Sequence, residues 1–110
     1  SLTRHIARVR KIYADRRRVM LRELDRIPAI SALRGIDAGL HLVADLQPGY
    51  DTSTIAKAAR ARNLHLAELD EYRLTPDPQN PALVLGYAKV TPAQIMAGIT
   101  VLADILASNT

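Results

Sequence analysis

Apolar side chains recur at Leu2, Ile6, Val9, Tyr13, Met20, Leu24 and Ile27, the spacing of one stripe along a helix. No Gly or Pro falls between Leu2 and Ile27, and Pro28 closes the run. The pattern predicts one uninterrupted helix over residues 4–27, with Ser1 or Thr3 as its cap. At a rise of about 1.5 Å per residue such a helix is nearly 40 Å long. That is more than a domain built from the remaining residues needs. A helix that overshoots its own domain usually has a second body to lie against, so the chain reads as a piece of something larger.

After Pro28 the pattern changes. Residues 29–36 make a weak strand, and Gly35, Asp37 and Gly39 supply turn chemistry. In residues 40–46, Leu40, Leu42, Ala44 and Leu46 point one way and His41, Val43 and Asp45 the other, which is the clearest strand and suggests a hairpin with the first. Pro48, Gly49 and Asp51 end it. Asp51 or Thr52 caps a short helix through Arg62 with Ile55, Ala58 and Ala59 facing inward, and Asn63 is a left-handed stop. A third strand is expected over residues 64–69. The strand–helix–strand spacing makes the second and third strands parallel neighbours or nearly so.

Residues 70–81 form a loop holding three of the six prolines, a length often functional in a small domain. A fourth strand covers residues 82–88. Thr91-Pro92-Ala93-Gln94 is a capping box with Pro at the first helical position, and Ile95, Ile99, Leu102 and Leu106 form the buried stripe of the last helix. Gly98 inside that helix is either a neutral surface position or a point of close packing. The order α-β-β-α-β-β-α predicts an α+β two-layer sandwich: a small, mostly antiparallel four-stranded sheet with helices on one face and a long N-terminal helix.

Composition fits this picture. The chain has 110 residues, 48% of them apolar, enough for one domain with a modest core. There is no Phe, Trp or Cys, so the core is aliphatic and thiolate chemistry and disulfides are excluded. No apolar run reaches the roughly 18 residues of a membrane span, and the basic N-terminus lacks an apolar signal-peptide core. A cytoplasmic protein without membrane contact is expected. Residues 1–27 carry nine Arg or Lys against Asp15, Glu23 and Asp25, a local balance of +6 within a net +4. Such a face is a solvated surface with Asp15–Arg18 and Glu23–Arg26 pairs, a dock for an acidic partner domain, or a nucleic-acid contact, although no base-reading motif accompanies it.

Candidate chemistry is sparse. There is no P-loop, GxGxxG, HExxH or CxxC, and no Ser sits in a nucleophile elbow. If the second and third strands were neighbours, His41, His65 and Asp45 would share a sheet face as a candidate metal group, but solvent-facing His is the commoner case and no metal site is assigned. Lys11, Lys57 and Lys89 lie on helices or at a strand end, with no evident pocket to depress their pKa. The residues carry no complete catalytic constellation.

Four stretches are nevertheless specific in order and spacing: RHIARVRKIYADRR, DAGLHLVADL, LHLAELDEYRL and ALVLGYAKVTPAQIMAGITVLADIL. Together they resemble the C-terminal small domain of fold-type-I aminotransferases. More narrowly, they resemble the aminotransferase-like region of MocR-type regulators of the GntR family. The resemblance implies residues 1–28 as a long linking helix and residues 29–110 as the small domain. It implies a parent in which a winged-helix DNA-binding domain precedes a body that binds pyridoxal phosphate (PLP), senses a small-molecule effector and forms a homodimer. The PLP lysine and phosphate cradle belong to the large domain, so this chain by itself is expected to be no enzyme, to hold no cofactor and to reach DNA only through the winged helix.

The comparison carries over residue by residue at two places. In aminotransferases the strand matching residues 83–88 typically begins with an arginine that grips the substrate carboxylate. Val84 stands there, or Leu83 if the alignment shifts by one, and an apolar side chain makes no such grip. That departure favours a regulator over the rival reading, the small domain of an active PLP-dependent aminotransferase. The loop facing the active site often reads Pro-Leu-Ser-x-Tyr-Tyr in the family. Here it reads Glu68-Leu69-Asp70-Glu71-Tyr72-Arg73, matching at Tyr72 and departing at Glu68, Asp70 and Arg73. Tyr72, Arg73 and Val84 are the expected effector-side residues, with a surface loop as the alternative for the first two. Exposure of the Ile6, Val9, Tyr13 stripe would drive self-association of the chain by itself.

Overall fold

A computed structural model describes residues 1–35 and 40–109. Helix α1 spans Leu2–Leu24, β1 Ile30–Gly35, β2 His41–Leu46, α2 Thr52–Ala61, β3 Ala67–Glu68, β4 Ala82–Gly86 and α3 Pro92–Ser108, with a 3-10 turn at Leu69–Glu71. The α+β order is the expected one. The sheet runs β1-β2-β4-β3 with every neighbouring pair antiparallel.

Each helix starts where its cap dictates. Ser1 Oγ accepts from Arg4 N, Asp51 accepts from Ser53 N and Thr54 N, and Thr91 and Gln94 form the reciprocal capping box. Asn63, at φ 61°, is the left-handed stop after α2. Helix α1 ends at Leu24, short of the expected Ile27. The chain tightens instead through Arg26 N to Glu23 O and Ile27 N to Leu24 O. The residue before a proline resists the α conformation, and Ile27 precedes Pro28.

The core lies between the three helices and one face of the sheet. Leu42, Ala44 and Leu46 of β2 and Leu83 and Leu85 of β4 meet Met20 and Leu24 of α1, Ile55 and Ala59 of α2, and Ile95, Ile99, Leu102 and Leu106 of α3. The apolar stripe of α1 is divided. Met20, Leu24 and Ile27 are buried, whereas Leu2 and Ile6 are exposed. The helix thus overshoots its own core, as its length implied.

Two strand expectations need correction. First, β2 and β3 are parallel in direction but not adjacent, because β4 lies between them and pairs with both. Second, β3 covers two residues rather than 64–69. After Asn63 the chain turns back, with Leu64 N donating to Ala59 O, and Leu64 and Leu66 pack beside the core without a ladder. The weakness of the β1 signal has its own cause. A bulge between Ile30 and Ala32 puts Ile30 opposite Leu46 and Leu33 opposite Ala44, so both turn toward the core although three residues apart. Of the expected turn residues, Gly35 closes β1, while Asp37 and Gly39 lie outside the described residues.

Candidate functional site

The sheet face away from the helices is only partly covered. Its registered pairs form one row across all four strands: Arg34 opposite Val43, Val43 opposite Val84, and Val84 opposite Ala67. Val43, Ala82 and Val84 make a small buried cluster, flanked by Ala67 and Leu69. Beside it opens a cleft of about 540 Å3 lined by Arg34, His41, Val43, Leu69, Tyr72 and Val84.

The polar members come from different elements. Arg34 on β1 is fixed by a bidentate pair with Asp45 on β2, Nε to Oδ2 at 2.9 Å and Nη2 to Oδ1 at 2.7 Å. These hydrogen bonds to Asp45 raise the guanidinium pKa further above its ordinary value, against a smaller opposing effect of desolvation. His41 lies across Gly86 in the next strand: a Cβ there would stand 3.3 Å from the imidazole Nε2. The missing side chain at Gly86 is what lets the ring rest on β4 near Val84. Tyr72 follows the 3-10 turn and is 70% exposed, its ring at the rim of the cleft.

The cleft therefore unites two of the expected effector-side residues, Tyr72 and Val84. Arg73 goes elsewhere. Its Nη1 donates to Asp70 Oδ1 at 2.7 Å and to Asp77 O at 3.3 Å, and its Nη2 donates to Asn80 O at 2.9 Å. Asp70 Oδ1 also accepts from Asp77 N at 3.0 Å. The Arg73 guanidinium, then the Asp77 amide, hold the Asp70 carboxyl below the usual carboxylate range. Glu68 accepts from the Thr52 hydroxyl at 2.8 Å, joining β3 to the start of α2. All three departures from the family's loop pattern, Glu68, Asp70 and Arg73, thus have local structural partners. Arg34 was not singled out from the sequence, and His41 only as a member of a conditional metal group. Their signal was the strand alternation that set His41 beside Val43, together with a bulge that no residue pattern announced.

The conditional group of His41, His65 and Asp45 does not assemble. His65 lies on the α2–β3 connection, beside a separate cavity bordered by Leu64 and Gln94, and Asp45 is engaged by Arg34. Among the described residues no set of three His, Cys, Asp or Glu side chains is placed to hold a metal. None of the three lysines lines the cleft, and all are exposed. Among the described residues, no helix is long and apolar enough to cross a membrane.

No family model matches the chain. A probable rhizopine catabolism regulatory protein, MocR, of Rhizobium meliloti is 28% identical over 96 residues, covering 86% of this chain. The chain spans about a fifth (19%) of that relative's length. Among solved structures, the alpha-aminoadipate aminotransferase LysN of Thermus thermophilus, complexed with N-(5'-phosphopyridoxyl)-L-leucine, matches at TM-score 0.82 and 21% identity, over 97% of this chain and 28% of that one. The kynurenine aminotransferase of Pyrococcus horikoshii matches at TM-score 0.82 and 24% identity, over 97% of this chain and 26% of that one. The multiple substrate aminotransferase of Thermococcus profundus gives TM-score 0.83 at 21% identity, over 98% and 27%. The chain shares its fold with part of these aminotransferases. Its resemblance to the aminotransferase-like region of MocR-type regulators, carried by the quoted motifs, agrees with both comparisons.

Proposed function

We propose that this chain is the small domain of the effector-binding and oligomerisation region of a PLP-binding transcriptional regulator of the MocR type, within the GntR family. The observation that carries the reading is the open sheet face, where Tyr72 and Val84 converge on one cleft. Residues 1–28 are the helix that links this domain to a large aminotransferase-like domain, and the exposed Leu2 and Ile6 end of α1 is the part that reaches beyond the core. The Schiff-base lysine and phosphate cradle come from that large domain, as the resemblance to the aminotransferase family implies. PLP supplies an aldehyde that condenses with amines; this chain supplies one wall of the space in front of it. Tyr72 and Val84 face the effector, and Arg73 acts behind them by holding the loop that carries Tyr72. DNA is bound through a winged helix outside the chain, and the regulator works as a cytoplasmic homodimer.

A second reading, the small domain of a working aminotransferase, is favoured by the three solved structures described above, each an aminotransferase. The full-length protein separates the two. Under the regulator reading it retards DNA from its own promoter region and a small amine or amino acid alters that retardation, with no transamination above background. Robust transamination without DNA retardation would overturn it.

A further inference from the structure

We infer that the chain carries a second ligand site, a cavity on the helix side of the sheet that takes a small uncharged molecule with an apolar body and a hydrogen-bond acceptor. The site goes beyond the proposed function and does not rest on it. Successive residues of β4 belong to different sides of the sheet. Val84 joins the cluster beside the cleft, whereas Leu85 joins the main core and borders this cavity.

The cavity has a volume of about 410 Å3, within the range of small-molecule pockets. Met20 of α1, Leu85 of β4 and Ile95 of α3 are buried and give it an apolar lining. Leu64, on the α2–β3 connection, borders it and is only partly buried. Local sequence sets this opening. Asn63, in the left-handed region at φ 61°, turns the chain so that Leu64 N donates to Ala59 O. Leu64 then lies beside α3 at Gly98, where a Cβ would stand 3.1 Å from its Cδ1. A glycine inside a helix weakens it relative to alanine, and no positive φ demands one at Gly98. What the missing side chain leaves is room between α3 and Leu64.

The polar groups select the ligand. Among Arg, Lys, Asp and Glu, only Arg62 borders the cavity, and its Nη1 donates to Asp104 Oδ2 at 2.6 Å. A charged ligand would give up its hydration against Met20, Leu85 and Ile95 with no free counter-charge to meet it. Gln94 offers a donor instead. Its Oε1 accepts from Thr91 N at 2.9 Å in the capping box, which holds the amide in place. The Gln94 Nε2 makes no hydrogen bond among the described residues, so its N–H groups are free to donate. A donor fixed in advance needs little ordering on binding. An alcohol or ketone on an aliphatic body matches both the lining and the amide.

The test is an NMR titration of the chain with cyclohexanol, set against cyclohexanecarboxylate and cyclohexylammonium, which put a charge on the same ring. Cyclohexanol is expected to shift the Leu64, Leu85 and Ile95 methyls and the Gln94 side-chain amide saturably, while the Val43 methyls beside the cleft stay in place. The two charged molecules are expected to bind about tenfold more weakly or less. Gln94→Glu keeps the capping acceptor and removes the donor, and should weaken cyclohexanol binding about threefold to tenfold. Gly98→Leu fills the room beside Leu64 and should abolish the saturable shifts. If that variant fails to fold, Gln94→Glu decides. The inference is overturned if cyclohexanol gives no saturable shift at these groups, if either charged molecule binds as tightly, or if Gln94→Glu or a folded Gly98→Leu binds like the parent chain. None of these outcomes bears on the regulator reading, which concerns the other face of the sheet.

Discussion

Arg16 shows how a motif residue becomes architecture. Its Nη1 donates to Ala88 O at 2.6 Å, just past the end of β4, and its guanidinium lies 5.7 Å from the Tyr13 ring centre. Arg17, next in the chain, reaches the end of β1: a Cβ on Gly35 would stand 3.0 Å from its Nη2. The Tyr-x-x-Arg-Arg part of the motif thus ties the long helix to two strand ends. Gly98 resolves in favour of close packing. A Cβ there would stand 3.1 Å from Leu64 Cδ1. That atom ends a rotatable side chain bordering a cavity of about 410 Å3, so it has room to yield. Gly98→Ala then removes the helix-interior cost of glycine and should raise stability by up to about 1 kcal/mol. A fall in the midpoint of urea unfolding would show that Leu64 does not yield.

At the scale of elements, α1 is two helices in one. Leu24 is fully buried and Leu2 is 74% exposed. Leu24→Ala should destabilise by about 2–5 kcal/mol, the cost of a core cavity. Leu2→Ala should stay within about 0.5 kcal/mol, as for a surface change. Equal effects in denaturant melts would contradict the division. The loop after β3 has a charge lock in Asp70 and Arg73. The Asp70 pKa is depressed in the folded chain, so its contribution is present above the ordinary carboxylate range. It is lost as pH falls through the folded value. Amides of residues 70–80 should therefore lose protection from hydrogen exchange at low pH while α3 keeps its own. Asp70→Asn should remove the pH dependence; if the wild-type loop shows none, the lock is not what orders it.

Helix starts were legible because each cap is a local side-chain signal, as at Asp51 and Thr91. Strand edges were less so. The bulge at Ser31 hides the alternation of β1. The placement of β4 between β2 and β3 is a long-range pairing that no local spacing encodes. The same limit governs the site. Tyr72 and Val84 were legible through the family resemblance, whereas Arg34 enters only once its strand is registered against Val43.

On the scale of the whole molecule, the chain measures 49 × 30 × 23 Å, its long axis far exceeding the other two. Leu2, Ile6 and Ile12 remain exposed along α1, at 74%, 41% and 40%. Apolar surface of this kind drives association when its usual cover is removed. The chain by itself should self-associate with rising concentration in light scattering, and Leu2→Lys combined with Ile6→Lys should return it to monomer. A strict monomer at high concentration would count against α1 as a docking helix.

The most direct measurement of the central claim is to read the coding sequence upstream of Ser1 in the same frame. The regulator account predicts a large domain carrying a lysine for PLP, preceded by a winged helix. A large domain with no DNA-binding segment before it would contradict that account and make the chain part of an aminotransferase.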